Sequence, residues 1–131
     1  MDSLFIVDDN IELLCLYKRL ISVYSKYDIA GMAGNGRDAI EKYKRMDKKP
    51  DLILMDVNMP DVDGISVAKE IQHLNNDAKI MFVTAEQIYN SDLPPELSNT
   101  PILRKPFSKD EFMCAIRKAL CGNQGTSKAL G

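Results

Sequence analysis

Four short runs of the 131-residue chain are apolar almost throughout instead of alternating between apolar and polar residues. They cover residues 4–7, 52–55, 79–83 and 102–103. Unbroken apolar runs of this length are typical of strands that are covered on both faces, as in parallel sheets. A fifth strand is predicted over residues 28–33, where Gly31 and Gly34 weaken the pattern.

Segments with helical spacing separate these runs. Apolar residues recur every three or four positions within residues 13–24, 39–46 and 65–74. A last helix is predicted after Ser108, because Ser108 and Glu111 form a capping box and Gly122 is placed to end the helix. The order is strand then helix, repeated five times. We therefore predict an α/β fold: a doubly wound, five-stranded parallel sheet with helices on both faces.

The fourth strand–helix unit is the weakest of the five. Residues 85–101 contain Pro94, Pro95 and Pro101, and a proline disfavours helix in the residue before it. We expect a short or distorted helix that stops near Asp92 or Leu93.

Length and composition indicate one domain of ordinary make-up, over residues 1–121, followed by a tail at 122–131 that is flexible or a cloning remnant. The net charge of −2 and the lack of basic clusters argue against direct nucleic-acid binding. No apolar run is long enough for membrane insertion. The three cysteines lack CxxC spacing, which favours reduced thiols and a cytoplasmic location.

Polar side chains follow the predicted strands where each one ends. Asp8 and Asp9 follow the first strand, Asp56 the third, Thr84 the fourth and Lys105 the fifth. The carboxyl ends of parallel strands meet at one edge of the sheet, where ligands bind. A cluster of carboxylates without sulfur suits a hard divalent cation, Mg2+ first and Mn2+ as the alternative. Thr84 and Lys105 would add a hydroxyl and a positive charge for phosphoryl oxygens, so the set predicts an acyl-phosphate site.

Four segments carry a family resemblance. They are Val7-Asp8-Asp9-Asn10, residues 52–64 (LILMDVNMPDVDG), Phe82-Val83-Thr84-Ala85 and Lys105-Pro106-Phe107. In this order and spacing they resemble the receiver domain of two-component response regulators, especially the chemotaxis regulator, over residues 3–121. The resemblance implies the flavodoxin-like receiver fold with strand order 2-1-3-4-5.

The resemblance also implies residue roles. Asp56 would be the phosphoacceptor. Asp9, Asp56 and the backbone carbonyl of Asn58 would bind Mg2+ directly, and Asp8 through water. Thr84 and Lys105 would contact the phosphoryl oxygens.

The resemblance gives roles to three further positions, two for the loss of the phosphoryl group and one for the switch. The resemblance places Asn58 and Glu86 where side chains orient the water that attacks the phosphoryl group, which implies fast self-dephosphorylation. Ile102 occupies the position of an aromatic switch residue, three residues before Lys105. An aliphatic side chain has no hydroxyl to bring to the surface, so we expect a switch that differs from the aromatic one or is weaker.

The function that follows is a signalling domain. It would take a phosphoryl group from a sensor histidine kinase or phosphotransfer protein and shift the surface of its fourth helix, fifth strand and last helix towards an unidentified downstream protein. It would not be a turnover enzyme.

Two alternatives remain open: a docking module that works without phosphorylation, and a small-molecule phosphohydrolase. Asp61-Val62-Asp63-Gly64 resembles the nucleophile motif of haloacid dehalogenase-type phosphatases. However, Met59-Pro60 separates it from the strand, so Asp63-Gly64 more simply forms the turn into the third helix.

Overall fold

The computed structural model describes residues 2–121. Its five strands are β1 (Ser3–Val7), β2 (Asp28–Ala33), β3 (Leu52–Met55), β4 (Ile80–Thr84) and β5 (Ile102–Arg104). Its α-helices are α1 (Ile11–Tyr24), α2 (Gly36–Arg45), α3 (Gly64–Leu74) and α4 (Lys109–Cys121). The strands form one parallel sheet in the order β2-β1-β3-β4-β5. The predicted fold class and strand order are confirmed. The predicted tail and helix-ending Gly122 lie outside the described residues.

The sheet has a hydrophobic core on each face. Alternate residues of the inner strands enter different cores, as Phe5 and Ile53 do on the α2–α3 side and Leu4 and Leu52 on the α1–α4 side. All residues of β1 and β3 are buried. Because both faces of these strands are covered, both sets of side chains must be apolar, which produces the unbroken apolar runs.

Side-chain caps set the helix starts. The side chains of Asn10, Asn35 and Asp63 accept hydrogen bonds from backbone N–H groups in the first turns of α1, α2 and α3. The predicted capping box of the last helix is present: the Ser108 N–H donates to Glu111 Oε1 at 2.8 Å, and the Glu111 N–H donates to Ser108 Oγ at 3.0 Å. These caps fix where each helix leaves the sheet edge.

The fourth unit differs from the predicted repeat. Between β4 and β5 the described chain forms no α-helix, only two single 3-10 turns, Asn90–Asp92 and Pro95–Leu97. The five-fold repetition was therefore wrong here, although the first turn ends at Asp92 as expected. Pro94 and Pro95 prevent helix continuation. The buried side chains of Leu93 and Leu97 fill the core on the α2–α3 side.

Within residues 2–121, none of the helices has the length and apolarity that crossing a membrane requires.

Candidate functional site

The polar residues that follow the strands do meet at one edge of the sheet. Three backbone hydrogen bonds continue the strand pairing past the strand ends: Asp8 N–H to Ala33 O at 3.1 Å, Asp56 N–H to Val7 O at 2.9 Å, and Lys105 N–H to Thr84 O at 2.9 Å. The sheet itself therefore positions these residues.

Three carboxylates form an acidic cluster there. One oxygen from each of Asp8, Asp9 and Asp56 lies within 4.8 Å of the others. Asp8 and Asp56 are only 1% and 5% exposed, whereas Asp9 is exposed to solvent. The donors are all carboxylate oxygens, and two of the three carboxylates are buried. This donor set fits a hard divalent cation such as Mg2+, which keeps several of its own waters.

Lys105 brings a single positive charge to the cluster. Its Nζ lies 3.0 Å from Asp8 Oδ2 and 3.8 Å from Asp56 Oδ1. The ammonium group therefore pairs chiefly with Asp8 and leaves Asp56 less directly compensated. Three carboxylates against one ammonium leave two uncompensated negative charges, the charge that a divalent cation would neutralise.

The environment of Asp56 disfavours its ionised form. Burial is the main cause that raises the pKa of this carboxyl to about 6, and the charge of Asp8 adds to it. Lys105 and the backbone N–H of Asn58 act in the opposite direction. A cation bound beside Asp56 would lower its pKa and favour the nucleophilic carboxylate.

Gly64 allows the loop that carries Asp56 to pack closely. A Cβ added at Gly64 would lie 1.9 Å from the carbonyl oxygen of Asp56. The Gly64 N–H donates to Val57 O at 2.8 Å, and Asp63 caps α3 by accepting from the Ser66 N–H at 2.9 Å. Asp63-Gly64 is thus the predicted turn into the third helix and holds the β3–α3 loop against Asp56.

Asn58 and Glu86, far apart in sequence, are in contact, and the backbone N–H of Asn58 bonds to the Asp56 carboxyl group. The Asn58 amide Nδ2 donates a short hydrogen bond to Glu86 Oε2, and both side chains are exposed. The Glu86 N–H donates to the Thr84 hydroxyl oxygen at 3.0 Å. The hydroxyl of Thr84 thus accepts one hydrogen bond and keeps its own proton to donate.

Ile102 is partly buried on the edge strand. It is paired with Phe82 in the β4–β5 register and packs against the core on the α2–α3 side. The structure therefore places it among apolar residues, as its side chain requires.

The sequence did not predict the contacts of two residues, Tyr17 and Asp61. Helical spacing indicated only that Tyr17 belongs to the core, and Asp61 stood out only as part of a phosphatase-like motif. Tyr17 is buried, and its ring stacks on Phe112. Burial, followed by the charges of Asp8 and Asp56, raises the pKa of this phenol. The spacing of apolar residues in α1 marked Tyr17 only as core.

Asp61 joins the β3–α3 loop to α2. Its two carboxylate oxygens accept from the N–H groups of Gly36 and Arg37, each at 3.0 Å. These hydrogen bonds lower the pKa of Asp61 to about 2. The phosphatase-like motif that contains Asp61 did not predict these two hydrogen bonds to α2.

Comparisons with known proteins agree with the geometry. A family model described as the response regulator receiver domain matches residues 4–117. The chemotaxis protein CheY of Bacillus subtilis is 32% identical over 118 residues, which cover 89% of this chain and 96% of that protein. CheY of Thermotoga maritima is 42% identical over 80 residues, which cover 61% of this chain and 64% of that protein.

A solved structure supports the same grouping. The response regulator protein TrrA from Thermotoga maritima, in complex with Mg(2+)-BeF, superposes with a TM-score of 0.77 at 31% identity. The match covers 91% of this chain and 99% of that chain.

Proposed function

The chain belongs to the response regulator receiver domain family, and from this membership we propose that it accepts a phosphoryl group on Asp56. One observation carries the proposal. Asp56 is buried to 5% exposure, yet it lies within 4.8 Å of two further carboxylates and 3.8 Å from an ammonium group. Burying a lone carboxylate this deeply would destabilise the fold. The charged groups around Asp56 suit a carboxylate that attacks a phosphorus atom.

The proposed transfer is a nucleophilic displacement. An Oδ atom of Asp56 attacks the phosphorus of a phosphohistidine on a histidine kinase or phosphotransfer protein. The new P–O bond forms as the P–N bond breaks, and the electron pair of that bond returns to the imidazole nitrogen. The ammonium of Lys105 and the free hydroxyl proton of Thr84 bind the transferred phosphoryl oxygens.

Receiver domains bind Mg2+ in an acidic site, and the Asp8–Asp9–Asp56 cluster fits that ion. We assign Asp9, Asp56 and the Asn58 carbonyl as direct ligands and Asp8 as a ligand through water. When bound, the cation neutralises charge on the phosphoryl oxygens. Mn2+ has the same preference for oxygen ligands and is proposed as a functional replacement.

The lifetime of the phosphoryl group is assigned to Asn58 and Glu86. Their hydrogen bond holds an amide and a carboxylate at the solvent-facing side of the cluster. From there they can orient a water molecule towards the phosphorus, which supports self-dephosphorylation without a second protein.

Receiver domains act in signalling and are not turnover enzymes. We propose that residues 1–121 form this receiver domain and that it acts in the cytoplasm. Phosphorylation would shift the surface formed by the β4–β5 segment, β5 and α4 towards a protein target, with Ile102 as part of the switch. Direct nucleic-acid binding and membrane insertion are not part of this function. The docking-module and phosphohydrolase alternatives have no observation in their favour.

A mass measurement tests the proposal. The protein is incubated with acetyl phosphate and Mg2+, and its intact mass is recorded. The expected result is a gain of one phosphoryl group, removed by hydroxylamine as an acyl phosphate is, in the wild type and in Asp77→Asn, an exposed control. Asp56→Asn should show no gain. A gain that survives in Asp56→Asn would contradict the proposal, as would no gain in the wild type or continuous release of phosphate from other phosphate esters.

A further inference from the structure

Arg104 connects the edge strand to the segment that follows β4. It is paired with Thr84 in the β4–β5 register. Its guanidinium group donates from one nitrogen to the carbonyl oxygen of Ile88 at 2.5 Å and from the other to that of Glu86 at 3.4 Å. A planar guanidinium can bind two acceptors at once in a fixed geometry. Arg104 thus holds two carbonyl groups of one short segment.

Helix or strand hydrogen bonds do not hold that segment in place. Residues 85–89 lie in neither helix nor strand. Within it, Glu86 makes four hydrogen bonds. Its side chain accepts from Asn58 and its N–H donates to the Thr84 hydroxyl oxygen, while its carbonyl oxygen accepts from the Ile88 N–H at 3.1 Å and from Arg104 at 3.4 Å. Of these four, the bond from Arg104 is the one that ties the Glu86 backbone to the edge strand, so its loss would widen the range of positions open to the Glu86 carboxylate.

We propose that Arg104 is a positioning residue for hydrolysis of the acyl phosphate, acting through Glu86. The inference rests on the proposed function of Asp56. In the hydrolysis, the oxygen of a water molecule attacks phosphorus, the bond from phosphorus to Asp56 breaks, and its electron pair returns to the carboxylate. One proton of the water is released to solvent, the other stays on the phosphate, and inorganic phosphate leaves. Arg104 touches none of these atoms; it fixes the backbone whose side chain orients the water.

Tyr89 restricts the motion of Arg104 from outside. Its ring lies over the guanidinium group, with the Arg104 Cζ 4.8 Å from the ring centroid, and the residue is 57% exposed. The backbone of Tyr89 is held as well, because the Tyr89 N–H donates to Asp92 Oδ2 at 2.8 Å. A cation–π contact of this kind limits the orientations of the arginine. Removing the ring should therefore loosen Glu86 less than removing the guanidinium does.

The test measures how fast the phosphoryl group is lost. The wild type, Arg104→Gln, Arg104→Lys, Glu86→Ala and the double variant Glu86→Ala/Arg104→Gln are each phosphorylated with phosphoramidate and Mg2+. The donor is then removed, and the first-order loss of the mass gain is followed. We expect loss in both Arg104 variants to be roughly 3- to 10-fold slower, because misplacing an orienting group lowers the rate without abolishing the reaction. Lysine keeps the charge but lacks the fork of two donors.

The double variant separates positioning from general destabilisation. If Arg104 acts through Glu86, Glu86→Ala/Arg104→Gln should lose phosphate no more slowly than Glu86→Ala alone. Two further variants are compared with these. Tyr89→Leu, which removes the ring over the guanidinium group, should slow the loss of the phosphoryl group about twofold. The control Arg45→Gln, which alters an exposed arginine of α2 paired with Glu41, should leave the rate unchanged.

Two results would overturn the inference alone. One is wild-type loss rates in both Arg104 variants. The other is an equal slowing by Arg104→Gln with and without Glu86, which would show that Arg104 acts independently of that side chain. A wild type that never gains a phosphoryl group would overturn the proposed function, and the inference with it.

Discussion

Replacing the acceptor carboxyl with an amide is expected to stabilise the metal-free protein. Asp56→Asn keeps the size of the side chain and one acceptor oxygen but removes a buried negative charge that faces two other carboxylates. Lys105 retains its closer partner, Asp8, at 3.0 Å. The substitution therefore relieves an unfavourable charge without breaking the main ion pair of the site.

The size of the effect follows from the pKa. Burial and the neighbouring carboxylate of Asp8 raise the pKa of Asp56 from 3.8 to about 6. At about 1.4 kcal/mol per pKa unit, this rise corresponds to an upper limit of about 3 kcal/mol of destabilisation at neutral pH. The cluster opens to solvent at the exposed Asp9, so screening reduces the figure. We expect Asp56→Asn to raise the free energy of unfolding by about 1 to 2 kcal/mol.

The pH dependence has a definite sign. Between pH 3.8 and about 6, the folded wild type binds a proton at Asp56 that the unfolded chain has already released. Stability from this group therefore falls as pH rises through that window and is constant above it. The advantage of Asp56→Asn should be absent at about pH 4 and fully developed at about pH 7.

Urea unfolding in the presence of EDTA measures the effect. The wild type, Asp56→Asn and the exposed control Asp77→Asn are compared across that pH range, and the free energies are extrapolated linearly to water. The control should differ from the wild type by less than about 0.5 kcal/mol. The reasoning is refuted if Asp56→Asn is no more stable than the wild type at neutral pH, or if its advantage does not change with pH.

Three further outcomes are expected. Mg2+ should raise the unfolding temperature of the wild type, because the ion binds only the folded state. It should raise the unfolding temperature of Asp56→Asn much less, because that variant lacks one proposed ligand. Equal increases in a thermal scan of the two proteins would argue against the proposed ligands. Gly64→Ala should cost about 3 kcal/mol or more in urea unfolding, because its Cβ would meet the carbonyl of Asp56 at 1.9 Å, whereas Gly34→Ala, with open space around it, should cost little. Asp61→Asn should lower the unfolding temperature at neutral pH, because the hydrogen bonds to the ionised Asp61 carboxylate, which lower its pKa, are weakened. The difference from the wild type should vanish as pH falls towards 2, where the carboxyl is protonated in the folded protein too. A difference that persists in acid would exclude this explanation.

The fold could be predicted because its strongest constraints are local in sequence. The residues of β1 and β3 are buried on both faces, so each strand is an uninterrupted apolar run. The Ser108–Glu111 capping box can be recognised from spacing alone because its two hydrogen bonds join residues three apart. The sheet edge then brings Asp8 and Asp56 together, since parallel strands end on the same side.

The structure of the segment between β4 and β5 could not be predicted from the local sequence alone. Proline positions showed that a helix between β4 and β5 would be interrupted, but not that Leu93 and Leu97 would cover the core from two 3-10 turns. That arrangement depends on how much apolar surface the sheet leaves uncovered, which is a property of the assembled fold.

The sequence by itself determined which residues stand at the carboxyl edge and that their chemistry suits a divalent cation and a phosphoryl group. Only the tertiary structure decided how they are paired. Lys105 bonds to Asp8 more closely than to Asp56, and Arg104 reaches two carbonyls of the segment after β4. These contacts join residues 16 to 97 positions apart. Side-chain direction at such separations is set by packing between elements, and packing is fixed only when the whole chain has folded.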